Sequence, residues 1–183
     1  MFSYKNSFLS VLLLGTFVAC STPKTKVATC AYMPKVEEGN TRTDFAPQGE
    51  CGKFVDEDTL VLYPEHFNNL HFENTNLASI YTNSGMYYVH KSGKVMKTHF
   101  FDNGADYFEE GLVRTISKGK YGFMNERLDV VIEPQFDFVF PFSEGKAKFC
   151  NGCKEKKGEH EEHGMMVGGK WGFVDKVGKV TFE

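Results

Sequence analysis

The chain has 183 residues and a formal charge of −3, with 21 Lys and Arg against 24 Asp and Glu. That balance lacks the basic excess needed to grip a phosphate backbone, so nucleic acid is not an expected partner. With 18 Phe, 8 Tyr and 18 Gly but only 6 Pro, the composition favours aromatic-rich strands and tight turns over helices.

Lys5 is the only charge before position 20, and the apolar run from Phe8 to Ala19 follows it, interrupted by Ser10, Gly15 and Thr16. The run is shorter than the ~20 apolar residues of a membrane-spanning helix, so residues 1–19 are read as an export signal and set aside in fold reasoning. Its end, Phe17-Val18-Ala19-Cys20, resembles the lipobox of bacterial lipoproteins, with Phe17 where leucine is usual. The resemblance implies cleavage before Cys20 and acylation of its thiol. The expected location is then the cell envelope, anchored in the membrane by an N-terminal lipid; a two-membrane host would place it on the outer membrane or the periplasmic face.

Residues 20–50 are polar, with threonines and lysines interleaved and no sustained period, which predicts a flexible tether leading into a β domain over 51–183. Cys30, Cys51, Cys150 and Cys153 remain once Cys20 is acylated, an even number in a compartment that permits disulfides. Each pair sits in its own segment, so the expected bridges are Cys30 with Cys51 and Cys150 with Cys153. On the chain-entropy argument the longer of these loops would stabilise the fold by about 3 kcal/mol.

From Gly52 onward one pattern returns. Phe54-Val55-Asp56, Tyr88-Val89-His90, Phe123-Met124-Asn125 and Phe173-Val174-Asp175 are one step in four copies, offset by 34, 35 and 50 residues. Phe67-Asn68, Phe101-Asp102 and Phe136-Asp137 keep the same spacing, as do Leu77-Ala78, Leu112-Val113 and Lys146-Ala147. A period in this range is the signature of a repeat architecture. The turn at Gly93 recurs at Gly178, whereas Leu128-Asp129 lacks the glycine and predicts a differently built hairpin. Pro134 ends or edges a ladder, and Phe136 to Phe142 reads as a further apolar strand.

Lys170-Trp171-Gly172-Phe173-Val174-Asp175 with Gly178-Lys179-Val180, and Lys120-Tyr121-Gly122-Phe123 with Glu133-Pro134-Gln135-Phe136-Asp137, resemble the bacterial WG (KWG) repeat. The resemblance implies an all-β array of about four units, built as short antiparallel hairpins or meanders, with no catalytic residues to carry over. A single unit cannot bury its own aromatic face, so Trp171 is read as a core residue or a spacer between repeats. The alternative is an exposed ladder of Trp171, Tyr121 and Tyr88 stacking on sugar rings.

The last spacing exceeds the 35-residue period by fifteen residues, which places an insertion at about 150–165. Cys150-x-x-Cys153 followed by His160-x-x-His163 offers two sulfurs and two imidazoles, a donor set suited to zinc. Three readings stand side by side. Cys150 and Cys153 close a disulfide on a charged, solvated loop; the four residues bind zinc; or the Cys-x-x-Cys pair is redox-active, although it follows a strand rather than opening a helix. No Ser/His/Asp order, phosphate loop or dinucleotide fingerprint is present in the sequence, and the expected role is a non-catalytic interaction module whose partner is a protein or a polysaccharide.

Overall fold

The structure is a computed structural model that describes residues 25–35, 45–156 and 164–183. Four three-stranded antiparallel meanders account for most of it. They are β1 (Lys26–Tyr32), β2 (Ala46–Phe54) and β3 (Leu60–Leu62), then β4 (Leu77–Thr82), β5 (Gly85–His90) and β6 (Val95–Thr98). The third is β9 (Leu112–Ser117), β10 (Lys120–Asn125) and β11 (Val130–Phe136), after the short pair β7 (Phe100–Phe101) and β8 (Gly104–Ala105). The fourth is β13 (Lys146–Asn151), β16 (Lys170–Asp175) and β17 (Val180–Phe182). It is preceded by β12 (Phe138–Val139) and interrupted by the hairpin of β14 (Lys154–Lys156) and β15 (Met165–Val167). The first three meanders join in a nine-stranded sheet of order β11-β10-β9-β6-β5-β4-β1-β2-β3, and the fourth, with β12 at its edge, makes a sheet of order β12-β13-β16-β17.

The β domain therefore opens at Lys26 and not at Cys51. β1 lies between β2 and β4, and Ala28, Cys30 and Tyr32 alternate into the core beside Ile80 and Val89. A tether reading fails for this stretch because the strand's small and polar residues carry little signal of their own; its partners, residues 46–54 and 80–82, supply the hydrogen bonds. Helical structure among the described residues is the single turn α1 (Pro64–Asn68), opened by a proline at its N-terminus.

The turn after each second strand shows how the units correspond. The amides of Val55, His90, Asn125 and Asp175 each donate to the carbonyl four residues on. An acceptor side chain caps the turn: Asp56 Oδ1 takes the Asp58 and Thr59 amides, Asn125 Oδ1 those of Arg127 and Asp129, and Asp175 Oδ1 those of Val177 and Lys179. His90 Nδ1 takes the Ser92 amide in the second unit. By this backbone register Phe54 stands with Val89, Met124 and Val174, all four buried, so the first copy is shifted by one residue from the spacing the sequence alone suggests.

The third turn is not built differently. Leu128 adopts the positive φ, +60°, that Gly93 and Gly178 adopt, and its amide donates to the Asn125 carbonyl as theirs do to His90 and Asp175. A left-handed leucine costs about 1–2 kcal/mol. Here the side chain is fully buried against Leu77, Val113 and Met124, and burial of a leucine contributes about 1.5–3 kcal/mol, enough to offset the strain.

The glycine of the Trp-Gly pair has a separate cause. Gly52, Gly122 and Gly172 occupy one register position, and a Cβ at any of them would overlap the carbonyl oxygen of the third strand, at Val61, Ile132 and Thr181 respectively. In the second unit this position is Tyr87, the β5–β6 pairing is regular, and the ring packs instead against Phe54 in the core. In the third and fourth units, with the glycine facing inward, the ring before it turns to the other side of the strand and is only partly buried. Trp171 is consequently half-exposed rather than a core spacer, while Gly172 and Val174 face the interior with Phe149 and Phe136.

Candidate binding face

Two cysteine pairs are joined. Cys30 and Cys51 link β1 to β2 with Cα atoms 5.8 Å apart, and Cys150 and Cys153 close a short loop at the end of β13 with Cα atoms 6.0 Å apart. Both bridges stand at the root of the connection between a unit's first and second strands. That connection is long in units one and four, at 33–45 and 152–169, and only Asn83-Ser84 and Lys118-Gly119 in units two and three, which have no cysteine. Each bridge thus fastens the base of an enlarged hairpin. Cys20, His160 and His163 lie outside the described residues, so the structure places only the sulfur half of the Cys/His set; joined as a disulfide, those sulfurs offer no thiolate to a metal.

The loop at Cys153 is held from the neighbouring unit. Asp137 accepts the Gly152 amide at 2.6 Å and pairs with Lys120, while its own amide donates to the Asn151 side chain and the Cys150 carbonyl. The hydrogen bond from Gly152, followed by that from Lys120, holds the Asp137 carboxyl below the usual carboxylate range. The repeated aromatic-Asp step thus serves here to dock one unit on the next.

The outer face of the four-stranded sheet is paved with rings. Phe138 is opposite Cys150, Cys150 is opposite Trp171, Lys148 is opposite Phe173, and the Phe140 amide donates to the Lys148 carbonyl. Side-chain alternation therefore sends Phe138, Phe140, Lys148, Trp171 and Phe173 to one side. Phe140, 45% exposed, lies beside Trp171 with centroids 6.4 Å apart and planes 30° apart. Phe138 meets Phe140 edge-on at 5.0 Å, and Tyr121 continues the line at 5.9 Å from Phe138. Lys148 Nζ sits 5.2 Å from the Trp171 ring and pairs with Glu183 at 3.1 Å. Tyr88, by contrast, takes no part in this line: it packs on Phe108 and donates to the Asp106 carbonyl at 2.6 Å. The ladder suggested by Trp171, Tyr121 and Tyr88 thus keeps its first two members and gains Phe138 and Phe140 in place of the third.

A cleft of about 580 Å³ opens at the Tyr121 end, lined by His99, Phe101, Tyr121, Asp137, Phe138 and Glu155 among others. His99 Nδ1 shares a hydrogen bond with the Tyr121 hydroxyl at 3.1 Å, and the His99 carbonyl accepts the Asp106 amide. Behind it Arg114 is fixed by a bidentate pair with Asp106, Nε and Nη2 each 2.7 Å from a carboxylate oxygen, and by Nη1 on the Val139 carbonyl. Neither residue of the pair was distinguishable in sequence from ordinary surface charge. Burial, and then the nearby Arg114 charge, lowers the His99 imidazole from 6.5 to about 4.

A neutral folded imidazole has a pH consequence. Between about pH 4 and 6.5 the unfolded chain binds a proton at His99 that the folded chain does not, so the contribution is present above pH 6.5 and is lost as pH falls to about 4. Urea unfolding should show stability dropping from pH 7 to pH 5, and His99→Gln should flatten that slope. An unchanged slope would assign the drop to other groups.

Chemically the face offers aromatic surfaces, paired charges and a neutral imidazole. Among the described residues no three His, Cys, Asp or Glu side chains gather as a metal-binding group. Comparison with curated proteins and with solved structures finds no match. One family model does match, that of the WG containing repeat, over residues 121–154, from Tyr121 in β10 to Lys154 at the start of β14. The matched stretch carries Tyr121, Phe138 and Phe140 of the ring line and both cysteines of the second bridge; the chain thus contains a WG-type repeat within an all-β array.

Proposed function

We propose that the protein is an exported, lipid-anchored binding module of the cell envelope, holding a partner on the outer face of its fourth unit without transforming it. The observation that carries this reading is the ring line Tyr121, Phe138, Phe140 and Trp171, which spends aromatic surface on solvent while the core beneath is already filled by Phe136, Phe149 and Val174. Phe140 is exposed and the other three rings are partly buried beside it, and a run of solvent-reaching apolar surface of this kind marks interaction sites. Phe17-Val18-Ala19-Cys20 supports the anchor, and the partner is a protein or a polysaccharide.

Stability separates a binding surface from a core. Phe140→Ala combined with Trp171→Ala should cost about 2 kcal/mol or less in urea unfolding, against about 3–5 kcal/mol for Phe123→Ala in the core. A double-variant loss as large as that of Phe123→Ala would make these rings structural and remove the reading. For the anchor, labelled palmitate should enter the wild-type chain and not Cys20→Ser; equal labelling would contradict it.

A further inference from the structure

Resting on that reading, the geometry points to a ligand class: we propose that the ring line binds a linear glycan, with successive pyranose rings lying along Tyr121, Phe138, Phe140 and Trp171.

The line does not end at its last ring. At one end is the 580 Å³ cleft beneath Tyr121 and Phe138. At the other a second hollow of about 610 Å³ opens between Trp171, Lys170, Phe182 and Glu183. Both volumes fall in the range of small-molecule sites, ~300–1,000 Å³. Two hollows joined by a line of rings suit an extended chain of similar units better than one compact molecule.

The polar groups decide what kind of chain. Lys148 stands among the rings, already paired with Glu183, and Lys120 with Asp137 flanks the Tyr121 end. An ion pair that is internally balanced still has donor and acceptor capacity for neutral hydroxyls, and it needs no counter-charge from the ligand. A sugar ring presents the matching surfaces, C–H faces for the aromatic planes and hydroxyl edges for these pairs. An acyl chain would bury the same ion pairs with nothing to hydrogen-bond them, which is costly. An extended peptide gains most by adding to a sheet edge through its backbone, whereas Trp171 and Phe173 stand on β16, which is paired on both sides by β13 and β17. Rings mounted on paired strands also lose little freedom on binding, which lowers the ordering cost.

The test is calorimetric titration of the purified mature protein with cellohexaose, chitohexaose and hexagalacturonate, followed in parallel by emission of Trp171, the only tryptophan in the chain. At least one hexasaccharide should bind and shift the emission, and its monosaccharide should bind much more weakly. Phe140→Ala and Trp171→Ala should each weaken binding about tenfold, roughly the value of one stacking contact. Val61→Ala, exposed on β3 far from the face, should leave it unchanged. Binding that survives both ring variants would overturn the assigned site. If all three sugars fail while phosphatidylglycerol vesicles or an apolar decapeptide shift Trp171, the glycan proposal falls and the binding-module reading stands. If none of these probes binds, both fall.

Discussion

Asp106→Ala is expected to destabilise the folded chain by about 3–5 kcal/mol, enough to leave a domain of ordinary stability barely folded. Arg114 and Asp106 are 3% and 2% exposed, and the guanidinium reaches β12 through the Val139 carbonyl, so one buried cation ties the third unit to the edge of the second sheet. Removing the carboxylate leaves that cation buried and unpaired. The cost should therefore come from the orphaned charge and not from the loss of a favourable pair. Combining Asp106→Leu with Arg114→Met should recover most of it, because apolar residues of similar volume commonly replace a buried pair without loss. Urea unfolding of the three variants distinguishes the cases. A loss below about 1 kcal/mol for Asp106→Ala would mean that water reaches the pair.

Gly122→Ala should cost about 3 kcal/mol or more, whereas Gly119→Ala, three residues away, should cost about 1 kcal/mol. The two glycines serve different needs. Gly119 has φ +70° with open space where a Cβ would go, so alanine there meets only its own backbone preference. Gly122 has no positive φ, but the Ile132 carbonyl and the Pro134 nitrogen pass over it as β11 bulges against β10. A Cβ must push backbone aside, and the displaced strand carries Phe136 out of its 4.4 Å contact with Phe149. Equal losses at the two positions would mean that glycine is needed at Gly122 for its dihedral freedom instead. The same close approach of a third-strand carbonyl at Gly52 and Gly172 explains why glycine holds this register position in three units, while in the second unit Tyr87 fills it with a ring packed on Phe54.

The all-β character was legible because its signals are local: alternating aromatics, glycine-bearing turns at Gly93 and Gly178, and first strands opening at Leu77, Leu112 and Lys146 on one period. The insertion was legible as a lengthened spacing, and β14 with β15 now forms its stem. What was not legible depends on partners distant in sequence. Lys26–Tyr32 is a strand because 46–54 and 80–82 flank it, and its own residues include only one large apolar side chain deep in the core, Tyr32. Aromatic residues usually face inward, but which way Trp171 faces follows from Gly172 meeting the Thr181 carbonyl, a contact that spacing does not reveal. The ring line draws on β10, β12 and β16, and Phe138 and Phe140 are neighbours of Trp171 only through the sheet order. The neutral state of His99 arises from burial and then the nearby Arg114 charge, neither of which a spacing in sequence carries.

Four equivalent meanders, the first beginning at Lys26, build the molecule, and three of them form the sheet beside the ring-bearing fourth. Amide hydrogen exchange followed across residues 26–32 addresses this most directly. If β1 lies between β2 and β4, its amides should be protected to a degree comparable with β5, and reduction of the Cys30–Cys51 bridge should lower that protection first at β1 and β2. Exchange across Lys26–Tyr32 at the rate of a free chain, with β5 still protected, would contradict the four-unit architecture and return this stretch to a tether.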